Sequence, residues 1–318
     1  MDFFDSLLSP SQFLSHSGII LLVSSSQAMT PLRSAVALLL FVLPLSATDP
    51  YEQELSTALL RHVLILRNFY TDAHLKFDSN GVLTSKSPLG FGPIEGRIYV
   101  RELKLEPTRL TITGSRPLAV FDAVSETLRL VEIHQPVSIT IDLPDSEAPQ
   151  HSIPGLLKHV FLTTQESDQL ACSADETAAF RKDAKAAIRK INVIAVPKKA
   201  TEPSPEVNSL SELKQVCYPI GDRAYRAVRG IVPPKPLKTP DPAYPVGASR
   251  GGHTGTVVVM LIIDPGGAPT SIILTRAVGA DLDEAAIKAV RTWKFAPATF
   301  QGSPVPVAIN VEVSFTLE

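Results

Sequence analysis

From residue 305 to residue 317 a large apolar side chain occupies every second position: Val305, Val307, Ile309, Val311, Val313, Phe315 and Leu317. The residues between them are Pro306, Ala308, Asn310, Glu312, Ser314 and Thr316. A period of two sustained over this length suits a strand with one buried face, because a helix would scatter the same side chains around its circumference. Such a strand needs a sheet to join. Residues 255–264 (GTVVVMLIID) are apolar enough to be covered on both faces, Asp264-Pro265-Gly266-Gly267 is turn chemistry, and residues 268–278 read as the return strand. Leu282, Ala285, Ala286, Ala289, Val290 and Trp293 then recur at helical spacing, and Asp281 with Glu284 has the spacing of an N-terminal cap. The order β-β-α-β predicts an α+β module over residues 240–318: three antiparallel strands with one alanine-lined helix across them. A three-stranded sheet leaves an edge, and the last strand is expected to expose it.

Upstream, residues 48–196 read as a separate α+β domain rich in antiparallel strands. Residues 55–70 carry apolar side chains at a mostly helical spacing, predicting one amphipathic helix. Residues 97–105, 109–113, 118–121 and 127–143 alternate and are β-branched, with Pro136 marking a break or an edge position. Asn80-Gly81 predicts a hairpin between residues 75–78 and 82–83, since a type I′ turn needs positive φ at both central residues. Residues 153–162 and 174–191 are expected to be helical. Several of the 27 prolines gather between residues 197 and 245, so residues 197–239 are expected to form a proline-bearing linker.

The N-terminus carries an address. A short basic lead at residues 29–33 precedes the apolar run of residues 34–47, whose length suits an export signal better than a spanning helix. Ala47 fits the position before cleavage and Leu45 does not fit its own, so cleavage and retention as an N-terminal anchor are both carried as expectations, with Met29 as an alternative start. Cys172 and Cys217 either pair in an oxidising compartment or are two separate buried thiols; their spacing matches no metal-ligand motif. A net charge of -2 leaves no positive field for displacing counterions from phosphates, so nucleic acid is not an expected partner. Gly247-Ala248-Ser249-Arg250-Gly251 matches G-x-S-x-G, but proline-rich chain precedes it where a nucleophile elbow needs a strand. The histidines show no metal grouping, and no constellation reads as catalytic, cofactor-binding or metal-binding.

Tyr244-Pro245, Gly255, Asp264 with Gly267, Leu282-Asp283 with Ala286, Trp293-x-Phe295-x-Pro297, Gly302-x-Pro304 and Phe315, in this order, resemble the C-terminal domain of TonB energy-transducer proteins. The resemblance covers about a quarter of the chain. It implies a non-enzymatic module in the cell envelope, facing the periplasm, that meets outer-membrane receptors when a short receptor segment adds a strand to the exposed edge. The residues expected at that contact are Tyr244, Pro245, Val307, Ile309, Asn310, Val311 and Val313. Pairing of the same edge with a second copy is the alternative, and Tyr244 is equally readable as a lid over apolar surface. The apolar N-terminal segment and the proline-bearing spacer are both shorter than in the transducer pattern, which leaves coupling to a proton-driven motor open.

Overall fold

A computed structural model describes residues 50–145, 148–190, 207–218 and 220–317. The export signal or anchor and the first ten residues of the expected linker, 197–206, lie outside the described residues. Among the described residues no helix is long and apolar enough to cross a membrane.

The upstream region runs α1 (Pro50–Leu59), β1 (Val63–Ile65), β2 (His74–Phe77), β3 (Arg97–Glu106), β4 (Arg109–Asp122), β5 (Thr127–Asp142), α2 (Ile153–Val160), α3 (Thr164–Gln169) and α4 (Ala174–Lys190). It is followed by β6 (Gln215–Cys217), β7 (Arg223–Arg226), β8 (Ile231–Val232), β9 (Lys235–Lys238) and α5 (Val246–Arg250). The C-terminal module is β10 (Gly255–Ile263), β11 (Pro269–Arg276), α6 (Ala280–Val290), β12 (Lys294–Ala296), β13 (Ala298–Phe300), β14 (Ser303–Val305) and β15 (Val307–Phe315).

In the C-terminal module β10 pairs antiparallel with β11 on one side and with β15 on the other, in register from Gly255↔Phe315 to Ile263↔Val307. Alternation decides the packing. Val257, Val259, Leu261 and Ile263 share a core with Leu282, Ala286, Ile287 and Val290 of α6, together with Phe295, Val313 and Phe315. Met260 and Ile262 face the other way, into a core with Phe121 and with Phe180 and Ala184 of α4. β10 is therefore covered on both faces, and each large side chain buried stabilises by about 1.5–3 kcal/mol.

The structure departs from sequence expectation where pairing is non-local. The helix expected over residues 55–70 stops at Leu59, and residues 63–65 instead pair antiparallel with β3. Two backbone bonds lock the change of direction, from Arg61 N–H to the Val100 carbonyl and from Val100 N–H to the His62 carbonyl, both at 2.9 Å. Residues 109–113 and 118–121 are one strand, β4, with a register shift near Pro117 as it pairs with β5; Pro136 stands opposite Ser115 beside that shift. A turn forms at Asn80-Gly81, but with positive φ at Gly81 and not at Asn80, so it is not the type I′ turn expected; its return is a single bridge, Phe77↔Leu83, and β2 finds its strand partner in β5, parallel.

Two further corrections change the architecture. The region expected as a separate domain shares its sheet with the C-terminal module, because β4 runs parallel to β11 through Ala119↔Ile273 and Val120↔Leu274. The described part of the expected linker is not a free tether: β8 pairs with β13, β9 with β12, and β6 with β7, which in turn lies along β15. The final alternating stretch is also divided, with Val305 in β14 and β15 starting after Pro306. At the helix the cap differs too. The N-cap is Gly279, without a side-chain cap bond, and Asp283 rather than Asp281 reaches back, its Oδ1 accepting from Val278 N–H at 2.8 Å.

Cys172, between α3 and α4, and Cys217, at the end of β6, are joined by a disulfide with their Cα atoms 5.8 Å apart.

Candidate peptide-binding edge

β15 is bound to β10 along its whole length, so its other margin decides what it can accept. β7 lies parallel to that margin over two pairs only, Val307↔Tyr225 and Ala308↔Arg226. Among the described residues no strand pairs with β15 on that side from Ile309 to Phe315. The expectation of a last strand bare along its whole outer side is thus corrected at its first two residues. Tyr225 N–H donates to the Pro306 carbonyl at 3.0 Å. Backbone groups of alternate residues point the same way along a strand, so Asn310, Glu312 and Ser314 turn their N–H and C=O groups towards the open margin, while Val307, Ile309, Val311, Val313 and Phe315 bond β10.

The two faces of this edge differ. Val313 and Phe315 are buried in the core under α6, with Ile309 and Val311 half-buried against it. Asn310, Glu312 and Ser314 are exposed on the opposite face. Tyr244 closes the far end: its ring stands edge-on to Phe315 with centroids 5.4 Å apart, and its hydroxyl donates to the His253 carbonyl. Pro245, half-buried, N-caps α5, and Trp293 Nε1 donates to the Pro240 carbonyl at 3.0 Å, which straps the proline segment onto the module.

The remaining motif residues build the frame around the edge. Asp264 Oδ1 accepts from the N–H groups of Gly266 and Ala268 at 2.8 and 2.9 Å, shaping the β10–β11 turn. The carbonyl of Gly267 accepts from Phe295 N–H at 2.9 Å, which pins the entry to β12. Gly255 opens β10 where a Cβ would lie 2.2 Å from Val278. Leu282 and Ala286 seat α6, Phe295 is buried beneath it, Pro297 separates β12 from β13, and Gly302 turns β13 into β14. Ser249 of the G-x-S-x-G run is exposed on the one-turn helix α5, which residues 239–245, not a strand, lead into. Among the described residues no group of three or more His, Cys, Asp or Glu side chains could hold a metal ion.

A buried polar cluster, invisible to sequence reading because its members are far apart in the chain, joins the module to the rest. Asp222 of the β6–β7 turn accepts from Ser271 Oγ at 2.5 Å, and Glu95, before β3, accepts from the backbone N–H groups of Ser271 and Gly92. Burial, and then the nearby Glu95 charge, push the Asp222 carboxyl up to about 8; burial also raises Glu95. The folded protein therefore holds a proton on Asp222 that the unfolded chain, with an aspartate pKa of about 3.9, releases much earlier. This group favours the fold most below about pH 4, and that contribution is lost as pH rises towards 8. Asp222→Asn is expected to melt a few degrees above the parent at pH 9 and no higher than it at pH 5. A difference independent of pH in thermal melts would sink this assignment.

A sequence profile for the Gram-negative bacterial TonB protein C-terminal matches residues 240–317. Protein tonB2 of Pseudomonas aeruginosa is 35% identical over 82 residues, covering 26% of this chain and 30% of that protein. Protein TonB of Xanthomonas campestris pv. campestris is 35% identical over 77 residues, covering 24% and 34%, and Protein TonB of Vibrio cholerae is 35% identical over 78 residues, covering 24% and 32%. The chain thus spans about a third of the length of the curated relatives it matches. The solution NMR structure of the Pseudomonas aeruginosa TonB CTD aligns with 29% of this chain and 93% of its own, at 21% identity and a TM-score of 0.23.

Proposed function

We propose, taking residues 240–317 as a C-terminal module of the TonB type, that this chain is a non-enzymatic cell-envelope protein whose module binds short extended segments of outer-membrane receptors by strand addition, in energy-dependent transport. The observation that carries this reading is the margin of β15 at residues 309–315, which no strand among the described residues pairs with and where Asn310, Glu312 and Ser314 offer main-chain donors and acceptors. A guest strand satisfies these groups in register, while its side chains meet Ile309, Val311 and Val313 on one face. In this reading residues 240–317 face the periplasm. The upstream region buttresses the sheet at β11, on the side away from the open margin. Self-pairing of two copies along the same edge competes with guest binding, and light scattering of the full chain distinguishes it by a dimeric mass that falls when guest is added.

Proline substitution tests the margin without dismantling the sheet, because proline is tolerated where the lost N–H faces solvent. Glu312→Pro is expected to weaken binding of peptides copying extended receptor segments by about tenfold or more, with the melting transition largely kept. Val311→Pro, whose N–H bonds β10, is expected to unfold the module. In hydrogen exchange, guest peptide should protect the amides of Asn310, Glu312 and Ser314. Unchanged affinity in Glu312→Pro, with those amides unprotected, rules strand addition at β15 out.

A further inference from the structure

The margin of β15 already holds one strand, and that strand belongs to the chain itself. β7 covers Val307 and Ala308, held by the bond from Tyr225 N–H to the Pro306 carbonyl, and then turns away. Val228 N–H bonds the Arg226 carbonyl at 2.9 Å and Ile231 N–H bonds the Val228 carbonyl at 3.1 Å, so the backbone leaves the sheet where it would next stand opposite Ile309. β7 is braced from behind. The disulfide ties its partner strand β6 to Cys172, Arg223 Nη1 meets Glu176 Oε1 of α4 at 2.6 Å, and Arg226 pairs with Asp183 of the same helix. Asp222, at its start, is bonded to Ser271 of β11.

We infer that β7 is a fixed stop that limits the guest to about seven residues, the length of margin from Ile309 to Phe315, and that Glu312 selects a basic side chain at one position of that guest. The inference rests on the strand-addition reading and adds the length and chemistry of the partner segment. Directly opposed residues of paired strands point to the same face. Guest side chains beside Ile309, Val311 and Val313 therefore meet the apolar face under α6, and those beside Asn310, Glu312 and Ser314 meet exposed polar surface. Glu312 has no ion-pair partner among the described residues, so a lysine or arginine set beside it gains a charge contact there. The partner is thus a short extended peptide of alternating apolar and polar residues with a cation on its polar face.

The probes are capped peptides of five, seven and nine residues alternating valine with threonine, with the threonine nearest the centre replaced by lysine, titrated into the full chain by fluorescence anisotropy. Affinity is expected to rise about fivefold from five to seven residues and less than twofold from seven to nine, since the last two find β7 in place of free backbone. Tyr225→Pro removes the N–H that anchors β7, and here the nine-residue peptide should gain about fivefold over the seven-residue one. Arg226→Glu, which repels Asp183 without altering the backbone, should move the profile the same way and keeps the test open if the proline variant does not fold. Exchanging lysine for glutamate in the peptide should cost about threefold in the parent and nothing in Glu312→Gln. Identical length profiles in parent and both variants overturn the stop, and a lysine preference that survives Glu312→Gln overturns the charge selection. If these probes fail to bind while receptor-segment peptides still do, the length and charge rule falls alone; if both fail, strand addition falls with it.

Discussion

Replacing Cys172 and Cys217 together by serine is expected to lower the unfolding free energy by about 4 kcal/mol, measured by denaturant titration of the full chain. The bridge closes a loop with a sequence separation of 45, and removing it returns that loop's closure entropy to the unfolded chain, which stabilises the unfolded state. Cys217 is wholly buried at the end of a three-residue strand, and β6 has β7 as its strand neighbour. Among the described residues β7 is the one strand that pairs with β6, over three residue pairs. The parent treated with dithiothreitol should approach the double-serine variant. A loss below about 1 kcal/mol would mean that the neighbouring ion pairs, Arg223 with Glu176 and Arg226 with Asp183, hold this corner unaided. Because β7 rides on β6, the same substitution should also loosen the first two residues of the β15 margin.

What could be read from the residues divides along the range of the interactions involved. β10, β11, α6 and β15 were legible because each carries its own period, two for the strands and 3.6 for the helix, and because the turn at Asp264–Gly267 is built from local backbone bonds. The stretch at residues 55–70 misleads because Leu64 and Leu66 continue a helical spacing equally well, and only β3, some 35 residues later, supplies the pairing that decides for a strand. The short strands β6 to β9 carry too few residues to show any period, and Pro233, Pro234 and Pro236 reinforced the reading of a tether. The stop at Tyr225 and Arg226 and the cluster of Glu95, Asp222 and Ser271 are tertiary juxtapositions with no local sign. At the edge itself, Ile309, Asn310, Val311 and Val313 lie in the stretch that β7 leaves uncovered, Asn310 alone of the four with its backbone groups turned outward, whereas Val307 is covered by β7 and Tyr244 packs on Phe315.

Gly267→Ala is expected to cost about 2–4 kcal/mol, and the size follows from two separate penalties. At φ +83° the backbone is left-handed, which costs a residue with a Cβ roughly 1–2 kcal/mol. A Cβ there would also lie 2.0 Å from the carbonyl oxygen of Phe295, a backbone atom that cannot swing aside as a flexible side chain would. Gly302→Ala separates the two terms. Gly302 has nearly the same φ, +85°, yet nothing lies within 4 Å of its added Cβ, so only the conformational cost remains, about 1–2 kcal/mol. Denaturant titrations of the two variants should therefore differ by about 1–2 kcal/mol, the share owed to crowding against β12. Equal losses would show that the β10–β11 turn shifts freely and that the Gly267–Phe295 contact does not position the chain leading to β15. The close approach also explains why a glycine belongs at this point of the motif. The 2.9 Å bond from Phe295 N–H to the Gly267 carbonyl draws β12 against the turn, and only a residue without a side chain lets the two backbones come that near.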